Sequence, residues 1–143
     1  MCIIVDADCV HHLLVRSEQG IPVLKWLLQG SNAGLVVGGK NLSEIGATRL
    51  RDTLAVLSRA GRLHKVSDAA LAPIVTRLRS AGTCRSNDSH VVALALVSRC
   101  RLVFSHDEAL HADLKSHSRT GEKISIYQDS SHEHLLTPCR CFS

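Results

Sequence analysis

The chain has 143 residues, 45% hydrophobic and 21% charged, and 17 Lys and Arg against 13 Asp and Glu leave a net charge of +4. That length fits one domain with a real core, and the balance excludes disorder, a collagen-like repeat and a coiled coil. Aromatic residues at 3% argue against a protein that grips single strands by stacking many bases, while the mildly basic balance permits a polyanionic partner without demanding one.

Cys2-Ile3-Ile4-Val5 is a short β-branched run of the kind buried on both faces of a sheet, and it stops at Asp6. A helical pattern follows. Pro22 stands in the first turn of a second helix through Val23, Leu24, Trp26, Leu27 and Leu28, with Gly30 as its stop. Gly34 to Gly39 reads as a strand bracketed by glycines. Leu42, Ile45, Leu50, Leu54 and Leu57 then recur at helical spacing up to Gly61. Arg62 to Val66 alternates as a weaker strand, and Ser67 and Asp68 offer an N-cap for a helix from Leu71 to Leu78 that carries Pro73 early. An apolar helix from Asn87 through Leu96 feeds a strand, Leu102-Val103-Phe104, ending at Ser105-His106-Asp107. One more helix and the strand Ile124-Ser125-Ile126 precede a polar tail, residues 127–143, that has no assignment.

Alternating short strands and helices imply a parallel sheet covered on both faces, so the expected fold is a single α/β domain over residues 1–143. No apolar run approaches the roughly 20 residues of a membrane span, and Met1 to Asp6 lacks the basic and small-residue features of a signal peptide. The expected location is the cytoplasm. There the six cysteines, Cys139 and Cys141 among them, are expected to be reduced thiols.

In parallel sheets, function collects beyond the carboxyl ends of the strands. Asp6 follows the first strand, Asp107 the fourth, Asp88 opens the helix before that strand, and Glu44 lies early in the helix after Gly39. Each has a plain structural alternative: Asp6, Asp88 and Asp107 as helix caps, Glu44 as a solvated helix residue. Their common placement is the stronger signal. Like charges about 4 Å apart repel by several kcal/mol at an effective dielectric near 20, so a cluster of four carboxylates needs a cation. An oxygen-only donor set suits Mg²⁺ or Mn²⁺, which activate water and stabilise the leaving oxygen of a phosphodiester.

Four segments in order, Ile3-Ile4-Val5-Asp6-Ala7-Asp8, Gly38 to Glu44, Ser86 to Ala95 and Leu102 to Asp107, resemble the PIN-domain ribonucleases. The resemblance implies a three-layer α/β/α sandwich with a mostly parallel sheet and an acidic pocket for one or two Mg²⁺ or Mn²⁺ ions. It also implies endonucleolytic cleavage of single-stranded RNA, as in the toxins of toxin–antitoxin pairs. By position, Asp6, Glu44, Asp88 and Asp107 match the catalytic, metal-binding acids, and Ser105 a hydroxyl that helps hold a metal water. Asp8 stands where the family commonly has Ser, Thr or Asn. An antitoxin protein and a homodimer are the partners the family implies.

Phosphate contacts need positive charge, and Lys40 and Arg85 are nearest the acids in sequence. Two other readings compete. Asp6-Ala7-Asp8 also resembles the opening motif of haloacid-dehalogenase-like phosphatases, with Asp6 as nucleophile and Asp107 and Asp113 as late acids; that family does not need Glu44 or Asp88, and its lysine is missing here. The other is a non-catalytic PIN-like binding module, against which the four intact acids argue. Nine histidines, with His11-His12, His132-x-His134 and Cys139-x-Cys141, invite a zinc site, but the spacers are short for one. His90 and His106, near the acids, are expected to be solvated or packing residues.

Overall fold

The computed structural model describes residues 2–29, 32–118 and 123–136. Five strands, β1 (Cys2–Val5), β2 (Gly34–Gly38), β3 (Leu63–Val66), β4 (Leu102–Phe104) and β5 (Ser125–Tyr127), form one sheet in the order β3-β2-β1-β4-β5. Every pairing is parallel. β1 sits at the centre, pairing Ile3 with Leu35 on one side and Val5 with Phe104 on the other. All four of its residues are buried, as its unbroken apolar run requires of a strand covered on both faces.

Side chains leave the strands alternately, and the two faces become two cores. Ile3, Val5, Leu35, Val37, Leu102 and Phe104 pack with α1 (Val10–Leu14), α2 (Ile21–Gln29), α3 (Gly39–Gly46) and α4 (Arg51–Arg59). Cys2, Ile4, Val36 and Val103 face α5 (Asp68–Ala81), α6 (Ser89–Ser98) and α7 (Glu108–His117). The result is the expected three-layer α/β/α sandwich. α6 is apolar nearly all round because it runs between α5 and α7 as well as over the sheet; Ser89 to Ala95 are all buried.

Several local expectations shift. The helical run from Leu42 to Leu57 is two helices, broken where the Thr48 hydroxyl donates to the Ile45 carbonyl at 2.6 Å and accepts from the Leu50 amide at 3.2 Å. Both helices cover the same face, so apolar spacing carries across the break. Ser67 does cap α5, accepting from the Ala70 amide, but the helix starts at Asp68 rather than Leu71. Tyr127, placed by the sequence in the unassigned tail, is the last residue of β5. It pairs with Phe104, is fully buried, and donates its hydroxyl to the Gln19 carbonyl at 2.8 Å. A short 3₁₀ helix, Ser130–Leu135, follows.

Cys9, Cys84 and Cys100 carry free thiols. Cys2 is the correction: it is disulfide-bonded rather than a reduced thiol. The apolar run around Cys2 signals burial, and burial alone does not reveal a disulfide. Gly30, Pro138, Cys139 and Cys141 lie outside the described residues. Among the described residues, no helix is long and apolar enough to cross a membrane.

Candidate active site

β1 is the point where the sheet's winding reverses, since the chain runs outward from it through β2 and β3 and then returns to its other side at β4. In such sheets the crevice beyond the carboxyl ends at the reversal is the natural binding site. Asp6 and Ser105 stand on its two sides. The Asp6 amide continues the ladder by donating to the Phe104 carbonyl at 2.9 Å, and the Ser105 hydroxyl donates to Asp6 Oδ2 at 3.2 Å. Asp6 is 3% exposed and Ser105 fully buried.

Ser105 is itself held on three sides. Its amide donates to the Tyr127 carbonyl, its hydroxyl accepts from the Asp107 amide at 3.1 Å, and its carbonyl accepts from His111 Nε2 at 2.7 Å. The other nitrogen of His111 accepts from Gln128 Nε2 at 3.2 Å. His111 is thus a buried, fully bonded strut under the crevice. Sequence reasoning passed over it because its partners lie just beyond the carboxyl ends of β4 and β5.

Asp107 caps α7, its Oδ1 accepting from the amides of Ala109 and Leu110 at 2.9 and 3.2 Å. The structural alternative for this acid is therefore real, and it leaves Oδ2 without a capping role. Asp88 precedes α6 in the cap position but makes no side-chain cap bond. Glu44, on α3, has Lys40 Nζ at 3.7 Å from Oε1 and His90 Nε2 at 3.8 Å from Oε2. α3 is tied to the crevice by buried Asn41, whose side-chain amide donates to the Val5 carbonyl at 3.0 Å. Asn41 was also missed; a Gly-Gly-Lys-Asn sequence after a buried strand was the available cue.

Electrostatics shows that these acids share one space. Burial pushes the Asp6 carboxyl up to about 6, helped by the charges of Asp88, Asp8 and Asp107 and opposed by the Ser105 bond. Asp88 is raised as well, by burial first and then by Asp107, Asp8 and Glu44, with Lys40 opposing. The structure thus brings Asp6, Asp8, Glu44, Asp88 and Asp107 to one end of the sheet. Asp8 is the exposed member, on the 3₁₀ turn Ala7–Cys9. Arg85 is exposed, and its described bond is a backbone one to Asp113.

Asp113 does not join the acids. It is 1% exposed on α7, accepting from the amides of Arg85 and Ser86 at 2.8 and 2.9 Å and from the Ser86 hydroxyl at 2.6 Å. That removes the residue the phosphatase reading needed as a late acid. The histidines divide. His106 is exposed, donating to the Gln128 carbonyl at 2.6 Å with its ring edge-on to Phe104, whereas His90 is 6% exposed and therefore not solvated.

The donor set is all carboxylate oxygen, and Asp6 and Asp88 are raised by burial first and then by the charge of neighbouring carboxylates. Both features fit a hard divalent cation. As the side chains stand, no three His, Cys, Asp or Glu among the described residues close to metal-holding distance.

The fold is a three-layer sandwich with a 3-2-1-4-5 parallel sheet and acids at its winding reversal. No family model matches the chain, and no curated protein matches it. Among solved structures, the fold is similar to a chain in the crystal structure of VapBC2 from Rickettsia felis bound to a DNA fragment from their promoter. The likeness covers 90% of this chain and all of that one at 13% identity, with a TM-score of 0.51. At that identity it shows the fold.

Proposed function

We propose that the chain is a divalent-metal-dependent endoribonuclease that hydrolyses phosphodiester bonds in single-stranded RNA. The observation that carries this reading is the buried Asp6 carboxyl, raised to about 6 among Asp88, Asp8 and Asp107 at the reversal of the sheet. Asp6, Glu44, Asp88 and Asp107 would hold Mg²⁺ or Mn²⁺, which when bound supplies a Lewis acid for the phosphate and an ionised water as nucleophile. Ser105 keeps Asp6 turned into the crevice. Asp107 is held rigid by the α7 amides it caps. Lys40, in ion-pair reach of Glu44, offsets part of the charge and contacts the incoming phosphate, with Arg85 as a second contact from the exposed loop.

The fold likeness to VapBC2 supports a role as the toxin of a toxin–antitoxin pair, with an antitoxin protein and a second copy of the chain as partners in the cytoplasm. Cleavage of a labelled single-stranded RNA with Mg²⁺ or Mn²⁺, wild type beside Asp6→Asn, tests the reading, with EDTA and a phosphomonoester as controls. Metal-dependent cuts that vanish in the variant are expected. Intact RNA with phosphate released from the monoester would replace the nuclease by a phosphatase, and neither activity would favour a binding module.

A further inference from the structure

Beside the acids lies a cleft of about 340 Å³ between the start of α3, the stripe of α5 from Asp68 to Arg79 and His90 of α6. Leu71 and Val75 give it an apolar wall, while Lys40 and Arg79 bring two cations. The eight-residue helix α3 begins here with no side-chain cap and no acid in its first turn, so its first amides and its positive end face the cleft. Gly38 and Gly39 keep this backbone bare. A Cβ on Gly38 would meet the Val66 carbonyl at 2.8 Å, and Gly39 has φ +54°, which side chains disfavour.

The independent observation is His90. It lines the cleft, is 6% exposed, and neither ring nitrogen has a hydrogen-bond partner. A buried imidazole left unbonded on both sides costs stability, and native structures rarely tolerate that without a ligand or water to take the bond. Its nearest ionic neighbour, Glu44, is beyond hydrogen-bond reach at 3.8 Å. Lys40 and Arg79 line the same cleft as this ring. Asp68 is the acid on the rim, outnumbered by the two cations and the helix end.

We propose that this cleft binds a phosphate ester group, held by Lys40, Arg79, the leading amides of α3 and the His90 imidazole. The proposal deepens the nuclease reading, and rests on it only for the source of the phosphate. An RNA strand crossing the acids would place one phosphate there for hydrolysis and a neighbouring one in the cleft, which registers the strand.

The test uses the full chain in EDTA, so that binding is read without cleavage. Long-range ¹H–¹⁵N spectra follow the His90 ring while inorganic phosphate, uridine 5′-monophosphate and a 2′-O-methyl RNA hexamer without a terminal phosphate are titrated separately. Fluorescence anisotropy then compares wild type, Arg79→Ala and Arg59→Ala, the last removing an exposed charge from α4 on the opposite layer. The expected result is a shifted His90 signal, with binding weakened about fivefold by Arg79→Ala and much less by Arg59→Ala. Shifts with the hexamer alone support a backbone phosphate, and shifts with the mononucleotide support a free nucleotide. If no probe moves the His90 signal, or if the two Arg variants weaken binding equally, the subsite is overturned. A protein that binds in this way yet cuts no RNA with added metal keeps the subsite and loses the nuclease reading.

Discussion

Ser86 and Asp113 are joined twice, the serine amide and hydroxyl both donating to the same carboxylate oxygen at 2.9 and 2.6 Å, while the other oxygen takes the Arg85 amide. Two residues further on is Asp88, whose own amide donates to the Ser86 hydroxyl at 3.3 Å. An acid on α7 therefore shapes the loop that presents an acid of the crevice, without belonging to the crevice itself.

Asp113→Ala should lower the unfolding free energy by about 3 kcal/mol, because it removes the acceptor of the part-buried Arg85 and Ser86 amides and of the Ser86 hydroxyl. Burial alone would raise the Asp113 carboxyl; the bonds from Arg85 and Ser86 outweigh it and hold it below the usual range. A depressed folded value means that its stabilisation is present above roughly pH 4 and is lost as the pH falls through the folded value. Urea midpoints across pH 3 to 7 check both parts. An unchanged midpoint in the variant at neutral pH would remove the clamp.

Asp6 has the opposite sign. With a folded value of about 6 against 3.8, the native state binds more protons than the unfolded chain between these limits, so stability falls as the pH rises through this window. The gap corresponds to about 3 kcal/mol of destabilisation at neutral pH in metal-free protein. Asp6→Asn should therefore be more stable than wild type at pH 7.5 in EDTA and nearly equal to it at pH 4, while RNA cleavage disappears. Denaturation of both proteins at the two pH values measures the difference. A variant less stable at pH 7.5 would mean that the carboxylate is compensated by a group other than its described neighbours.

If a cation settles among these acids, the same repulsion becomes binding energy. Mn²⁺ or Mg²⁺ at a hundredfold excess over its dissociation constant should stabilise the wild type by about 2.7 kcal/mol, seen as a rise of several degrees in Tm. Asp6→Asn and Asp88→Asn should show little of that rise. Equal rises in all three proteins would place the cation elsewhere.

Ser105→Ala removes one donor to Asp6 and one acceptor for the Asp107 amide. The expected cost is about 1 kcal/mol for each lost bond. The Ser105 bond lowers Asp6, so its loss should move the acid limb of the pH–cleavage profile to higher pH. A profile that keeps its position while the rate drops would make Ser105 purely structural.

Most of the frame was legible because its signals are local. β1, β2 and β4 are short apolar runs; Asp6 sits directly beyond β1, and Asp88 and Asp107 precede the first turns of α6 and α7, whereas Glu44 falls in the second half of α3 rather than at its start. Strand ends and helix starts therefore singled out these acids as candidates without any knowledge of contacts, and the structure brings them to one end of the sheet. What stayed hidden depends on distant partners. Asn41 reaches Val5, His111 links Ser105 to Gln128, and Asp113 reaches back to Ser86. None of these has a periodicity or a neighbour that betrays it. The break at Thr48 was invisible for the reverse reason, since two helices on one face keep the spacing of one.

The placement of β4 beside β1 also sets an order of events. Asp6 and Ser105, bonded across the reversal, lie 99 positions apart, with β2, β3, the helices α1 to α6 on both faces and β4 itself between them. Closing so large a loop is slow compared with forming local helices. During synthesis the amino-terminal acid emerges early and waits, its crevice half-built, until the second half of the chain docks. Whatever chemistry these carboxylates perform is thus withheld from nascent and partly folded chains.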